Sequence, residues 1–230
     1  MKKDVDTRNL VLLETPDGSY TFALPESNET YHSVFGAKTE SEHIYIQNGL
    51  SLIAQQNIHV VEMGFGTGLN ALLACRFAVL NGKNITYHTC EPFPIDANQL
   101  PVPKFIQNDK PLEDYWRQIH QAPWDELIPI CPNFSIHKHP IAFEYYEPDM
   151  QADIVFYDAF APAVQPEMWQ AQMFKMVFNY LKPGGLLVTY SCSGIAKRAI
   201  REAGFITKRI PGPPGKWHML RATKPYTLEF

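Results

Sequence analysis

The sequence predicts an α/β fold with a mostly parallel sheet covered by helices on both faces, and three observations carry that prediction. An apolar strand-like run, Val60-Val61, leads through Glu62-Met63 into alternating glycines at 64, 66 and 68 and then a helix-like stretch from Ala71 to Leu80. Short apolar segments then alternate with segments of helical periodicity along most of the chain. The 230 residues, 45% of them hydrophobic, can bury one substantial core, so a single domain is expected, with 1–56 an N-terminal hairpin-and-helix extension and 57–230 the core.

Taken in order, Leu10 to Leu24 reads as a hairpin around Thr15-Pro16-Asp17-Gly18, where proline presets φ and glycine closes the turn. Asn28 to Gly36 is polar and aromatic and reads as loop; Thr39 to Gln55 reads as a helix before the first core strand. Further strands are expected at Ile85–Cys90, Phe134–His137, Asp153–Asp158 and Leu186–Tyr190, the last after the breaker Lys182-Pro183-Gly184-Gly185. Helical spacing predicts helices over Pro166–Leu181 and Gly194–Ala203. The stretch from Pro101 to Pro132, irregular and rich in proline and tryptophan, reads as an inserted or surface segment, and the chain ends in two closing strands, Gly204–Ile210 and Lys216–Thr223, joined by a Pro-Gly loop.

Cys75, Cys90, Cys131 and Cys192 are widely spaced and form neither a C-x-x-C pair nor a disulfide framework, as suits reduced thiols. No apolar stretch follows the lysines of Met1-Lys2-Lys3-Asp4-Val5-Asp6 and none reaches membrane-span length, so a cytoplasmic protein without membrane contact is expected. The net charge of −4 hides an asymmetry: from Lys182 onward nine basic residues face two acidic ones. A basic face on an acidic body could attract a polyanion, although a solvated helix and sheet edge would give the same count.

The glycine segment carries the chemistry. A nucleoside cofactor must approach backbone there, and a residue without a Cβ permits both that approach and a positive φ. Gly66-Thr67-Gly68-Leu69-Asn70-Ala71 fits the dinucleotide pattern G-x-G-x-x-A, while Glu62-x-Gly64-x-Gly66-x-Gly68 places an acid two positions before the first glycine. Charge favours the second register. A pyrophosphate tolerates a neighbouring carboxylate poorly, whereas S-adenosylmethionine bears a sulfonium and an ammonium. Glu91, 23 residues after Gly68 at the next strand's end, can accept hydrogen bonds from ribose hydroxyls of either cofactor.

The Glu62-to-Gly68 string, and the Leu181-x-Pro183-Gly184-Gly185 turn before an apolar strand, resemble class I (Rossmann-like) S-adenosylmethionine-dependent methyltransferases. More specific strings resemble the tRNA 5-methylaminomethyl-2-thiouridine methyltransferases, the methyltransferase half of MnmC-type enzymes or its stand-alone form. They are Glu29-Thr30-Tyr31-His32-Ser33, Glu62 to Asn70, Glu91-Pro92-Phe93-Pro94, Asp158-Ala159-Phe160-Ala161-Pro162 with Pro166-Glu167-Met168-Trp169, and Ala203-Gly204-Phe205 with Gly215-Lys216. The resemblance implies methyl transfer to the exocyclic amine of a 5-aminomethyl group on the wobble uridine, with the tRNA anticodon loop as partner. It places Glu62, Gly64, Phe65, Gly66, Thr67, Gly68, Asn70, Glu91 and Pro92 at the cofactor. A flavin-dependent oxidase half is not expected within this chain.

An ammonium has no lone pair, so the acceptor must lose a proton before attacking a sulfonium methyl in line; Asp158 is the candidate to orient it and help remove that proton. Asp158 as a helix cap or ribose ligand is the bland alternative. Tyr31, Phe160 and Pro162 are candidates for binding an extruded base, and Arg198, Arg201 and Lys216 for phosphate contact. Trp169 reads as core before stacking platform. Two departures stand out: His137-Lys138-His139-Pro140 offers no acid for the adenine amine, and Trp217 follows Lys216 where the resemblance expects arginine. His137 and His139 would share a strand face, but no third ligand is evident and no metal is expected. A small-amine methyltransferase, an oxidoreductase and a non-catalytic binding module remain as competing readings.

Overall fold

The computed structural model describes residues 9–24 and 29–226. The expectations for Met1 to Asp6 and for Asn28 lie outside the described residues. Strands β1 (Val11–Glu14) and β2 (Tyr20–Leu24) form the expected antiparallel hairpin. Its turn is held by Asp17, whose carboxylate accepts from Thr15 and Ser19 and, across to the next helix, from the backbone and hydroxyl of Thr39. The segment expected as loop contributes a short third strand, β3 (Glu29–Thr30), because β2 has an open edge to pair with it.

The helix expected over Thr39–Gln55 is shorter and broken. It begins as α1 (Ala37–Ser41), widens into a π-type turn over Glu42–Gln47 and ends where Asn48 bonds back to the His43 carbonyl through both its backbone and side-chain nitrogens. A Cβ at Gly49 would stand 2.5 Å from the Tyr45 carbonyl oxygen, so this tight exit admits no side chain.

The main sheet follows: β4 (Asn57–Met63), α2 (Leu69–Asn81), β5 (Asn84–Cys90), α3 (Lys110–Gln121), β6 (Leu127–Cys131), β7 (Phe134–His139), β8 (Ala152–Tyr157), α4 (Ala171–Tyr180), β9 (Leu181–Thr189), α5 (Gly194–Glu202), β10 (Ile206–Pro211) and β11 (His218–Thr223). Strand order is β10-β11-β9-β8-β4-β5-β7-β6. The five central strands run parallel, as expected, and antiparallel strands close both edges. Ile58, Val60, Tyr87, Ile136 and Phe156 belong to one core, with the π-type turn, α2 and α3; Val61, Met63, Val155, Tyr157 and Leu187 belong to the other, with α4 and α5. Two apolar faces covered by helices account for the near-continuous hydrophobic runs of β4 and β8.

Three further expectations change. The stretch Pro101–Pro132 is no mere surface insertion: Asp109 caps α3 by accepting from the Leu112 amide, Leu112, Trp116 and Ile119 bury one face of the helix, and β6 then covers the edge of β7. The helix expected over Pro166–Leu181 is interrupted by extended backbone at Gln170, which separates a single turn at Pro166–Trp169 from α4. Lys182-Pro183-Gly184-Gly185 lies inside β9 as an irregularity: pairing with β8 jumps from Leu181 to Leu186, Gly184 takes φ of 79°, and a Cβ on Gly185 would meet the Lys182 carbonyl at 2.8 Å. Among the described residues no helix is long and apolar enough to cross a membrane.

Candidate functional site

A cavity of about 650 Å³ opens where β4, β5 and β8 end, the edge at which open α/β sheets receive ligands. Gly64 and Gly66 form its floor. Gly64 takes φ of 86° and Gly66 50°, and added Cβ atoms would stand 3.2 Å from the Asp158 carbonyl oxygen and 3.0 Å from the Tyr31 ring. The backbone is therefore presented bare to the cavity, and positive φ makes any side chain there strained as well. Gly68, also at positive φ, begins α2 beneath the floor, where a Cβ would collide with Phe65 and His120.

Glu91 follows β5 and lines the same cavity with Pro92 and Phe93. It accepts from the Gly66 amide at 3.1 Å and the Phe93 amide at 3.0 Å, so one carboxylate ties the glycine loop to the next strand's end. Asp158, one residue past β8, is nearly buried and lines the opposite wall. It accepts from the Asn70 side-chain amide at 2.9 Å and lies 3.9 Å from His32 Nδ1, while His32 Nε2 is 3.2 Å from the Thr67 hydroxyl. Burial pushes the Asp158 carboxyl above its ordinary value, and His32 opposes that shift.

Other predicted cofactor residues support the floor from below. Glu62 is fully buried, accepts from Thr89 Oγ1 at 2.7 Å and does not line the cavity; burial raises its carboxyl to about 8 against the pull of Thr89. Phe65 packs edge-on against Trp124 and beside His120, and Thr67 gives its carbonyl to His120 Nε2 at 3.1 Å. Burial lowers His120 to about 4, against the pull of the Trp116 and Thr67 carbonyls. Asn70 bears on the site through Asp158.

Tyr31 and Phe160 meet edge to face at 5.2 Å on the cavity wall. Trp169 is core, as read: it is buried against Tyr157, Phe174 and Tyr190, and its indole donates to the Phe160 carbonyl at 2.8 Å. Tyr190 donates to the Ala159 carbonyl at 2.9 Å, so the Asp158-to-Pro162 loop is clamped twice from beneath. Pro162 does not line the cavity. Lys216 does, with its ammonium paired to Glu40 and 4.2 Å from the centre of the Tyr190 ring. Arg198 and Arg201 stand outside on the exposed face of α5, and Arg201 is bonded to Thr207 of β10 at 2.8 Å.

Sequence reasoning missed Glu40, Thr89, His120 and Tyr190. No local motif marks Glu40, Thr89 or Tyr190; for His120 the available signal was its place at the end of a well-capped helix.

Residues 139–225 match a family of S-adenosyl-L-methionine-dependent methyltransferases. The chain is 30% identical over 221 residues to the tRNA 5-methylaminomethyl-2-thiouridine biosynthesis bifunctional protein MnmC of Paracidovorax citrulli, covering 90% of this chain and 34% of that protein. It is 28% identical over 215 residues to the MnmC of Cupriavidus necator, covering 86% and 32%. The chain thus spans about a third of the length of these curated relatives. Among solved structures, MnmC2 of Aquifex aeolicus superposes with a TM-score of 0.80 at 21% identity, over 97% of this chain and 73% of that one. Spermidine synthase of Thermotoga maritima superposes with a TM-score of 0.60 at 18% identity, over 96% and 71%. Together with the glycine floor and the parallel sheet, these comparisons make the chain similar to the MnmC proteins over about a third of their length, with the fold seen in MnmC2 of Aquifex aeolicus.

Proposed function

We propose that the protein is a cytoplasmic enzyme that methylates the exocyclic amine of a 5-aminomethyl group on wobble (2-thio)uridine in tRNA, using S-adenosyl-L-methionine. The observation that carries this reading is the convergence of the bare Gly64–Gly66 floor, Glu91 and the buried Asp158 on one cavity. Nucleoside contact suits the first two, and an amine suits the third. Gly64, Gly66, Glu91 and Pro92 would hold the cofactor directly, with Glu62, Phe65, Thr67, Gly68 and Asn70 shaping their support. When bound, the cofactor supplies an electrophilic methyl on a sulfonium.

The reaction forms an N–CH3 bond, breaks the S–CH3 bond and releases one proton from the amine. Asp158 would accept a hydrogen bond from that amine and take its proton, and a carboxyl raised by burial is a better base than one in water. Asn70 and His32 fix its orientation. Tyr31 and Phe160 offer flat apolar surfaces for a base turned out of the anticodon loop. Lys216 at the cavity, and Arg198 and Arg201 beyond it, are suited to the flanking phosphates.

The test is incubation of the purified protein with labelled S-adenosyl-L-methionine and tRNA from cells unable to complete wobble-uridine modification, followed by mass spectrometry of the nucleosides. A methyl on 5-aminomethyl-uridine is expected. Cofactor binding with methyl transfer to small amines and none to tRNA would overturn the acceptor, and no cofactor binding would overturn the reaction.

A further inference from the structure

We infer that His88, His137 and His139 form a binding site for one divalent transition-metal ion of the zinc class, on the sheet face opposite α2. The pleat places His137 and His139 on one face of β7. Parallel pairing sets His88 of β5 directly beside His137, and Cys90 beside His139. The third ligand that β7 alone lacks therefore comes from the neighbouring strand. Each ring offers a nitrogen, and the three ligand atoms lie within 4.8 Å of one another.

The geometry is close to that of a bound ion. Zinc–imidazole bonds of about 2.0–2.1 Å in a tetrahedral site put ligand nitrogens about 3.4 Å apart, and His88 Nδ1 stands 3.2 Å from His139 Nε2. Those two rings are nearly parallel, at 11°, and His137 lies against His139 with centroids 4.0 Å apart. His137 and His139 are half-buried rather than locked in the core.

The surroundings suit a metal better than a packed apolar face. His88 is 4% exposed, and its Nε2 is buried without a hydrogen-bond partner, as is the hydroxyl of Tyr146, whose ring lies 4.8 Å from His139. A metal bound at His88 Nδ1 would replace the hydrogen bond between that nitrogen and His139 Nε2. An all-imidazole set favours zinc, nickel, copper or cobalt over magnesium or calcium.

An ion here would join β5 to β7 just beneath the catalytic edge, since the Glu91 amide bonds the His139 carbonyl at 2.9 Å. The site stands apart from the methyl-transfer reading and survives or fails independently of it.

The test is titration of chelator-treated protein with Co²⁺ followed by visible absorption, and with Zn²⁺ followed by calorimetry. One equivalent should bind, with cobalt bands in the visible typical of nitrogen coordination. His137→Gln and His139→Gln should each weaken binding roughly a hundredfold, and His218→Gln, at the exposed first residue of β11, should leave it unchanged. In the unaltered protein, imidazole NMR signals of His88, His137 and His139 should shift with Zn²⁺, a readout that needs no variant to fold. Absence of stoichiometric binding, binding unaltered in a folded His137→Gln/His139→Gln double variant, or zinc shifts confined to other histidines would each overturn the site.

Discussion

Asn70 donates its side-chain amide to the Asp158 carboxylate at 2.9 Å, joining the first turn of α2 to the end of β8 across 88 residues of chain. The glycine loop and the candidate base are thereby one unit. Replacing Asp158 by Ala should lower methyl transfer by about 10²–10⁴-fold, the usual worth of a general base, while S-adenosylhomocysteine affinity changes by less than about threefold. Asn70→Ala should fall between the two, because it frees the carboxylate without removing it. Calorimetry with single-turnover kinetics separates the outcomes, and a comparable loss of cofactor affinity in Asp158→Ala would assign that residue to the cofactor instead.

Gly66 and Glu91 make the second such unit. Gly66→Ala places a methyl 3.0 Å from the Tyr31 ring at φ of 50° and should reduce S-adenosylhomocysteine affinity by at least about tenfold. Glu91→Ala removes the acceptor of two backbone amides and should weaken it about 10–100-fold, in line with charge-assisted hydrogen bonds. Titration calorimetry reads both, and wild-type affinity in Glu91→Ala would remove Glu91 from the cofactor site.

Glu62 makes stability depend on pH in an unusual direction. Its folded carboxyl is raised from 4.5 to about 8, so between those values the native state holds a proton that the unfolded chain has released. Stability from this group is therefore complete below about pH 4.5 and declines as pH rises to 8, by at most about 5 kcal/mol. Glu62→Gln keeps the shape without the charge. Its melting temperature relative to the parent should rise steadily from pH 5 to pH 8, and a constant offset would show that Glu62 is already ionised in the native state.

The basic C-terminal part should contribute to tRNA affinity rather than to chemistry. The double change Arg198→Gln and Arg201→Gln should leave cofactor affinity unaltered and lower the magnitude of the log Kd against log salt slope by about 1–2. Binding assays across salt concentrations measure this directly, and an unchanged slope would place the phosphates elsewhere on the surface.

Much of the framework was legible in the chain. Strand β4, the three glycines, β5 with Glu91, and β8 with Asp158 each carry an apolar run followed by a residue that the sheet edge requires, and all were found within a few residues. The region from Pro101 to Pro132 was misread because its prolines and tryptophans obscured a sound signal: Asp109 as cap and Leu112, Trp116 and Ile119 at helical spacing. The break at Gln170 and the passage of β9 through Pro183-Gly184-Gly185 follow from pairing and packing with other elements, which local propensity does not encode.

The sequence by itself determined the fold class and the sheet edge at which the glycines, Glu91 and Asp158 meet, because periodicity and glycine placement are properties of neighbouring residues. Only the tertiary structure decided that Glu62 lies beneath the floor while Glu91 lines the cavity, that Trp169 clamps the Phe160 carbonyl, and that His88 joins His137 and His139. Each of those outcomes depends on strand order and register, which set contacts between residues dozens of positions apart and are themselves set by the burial of two apolar faces at once.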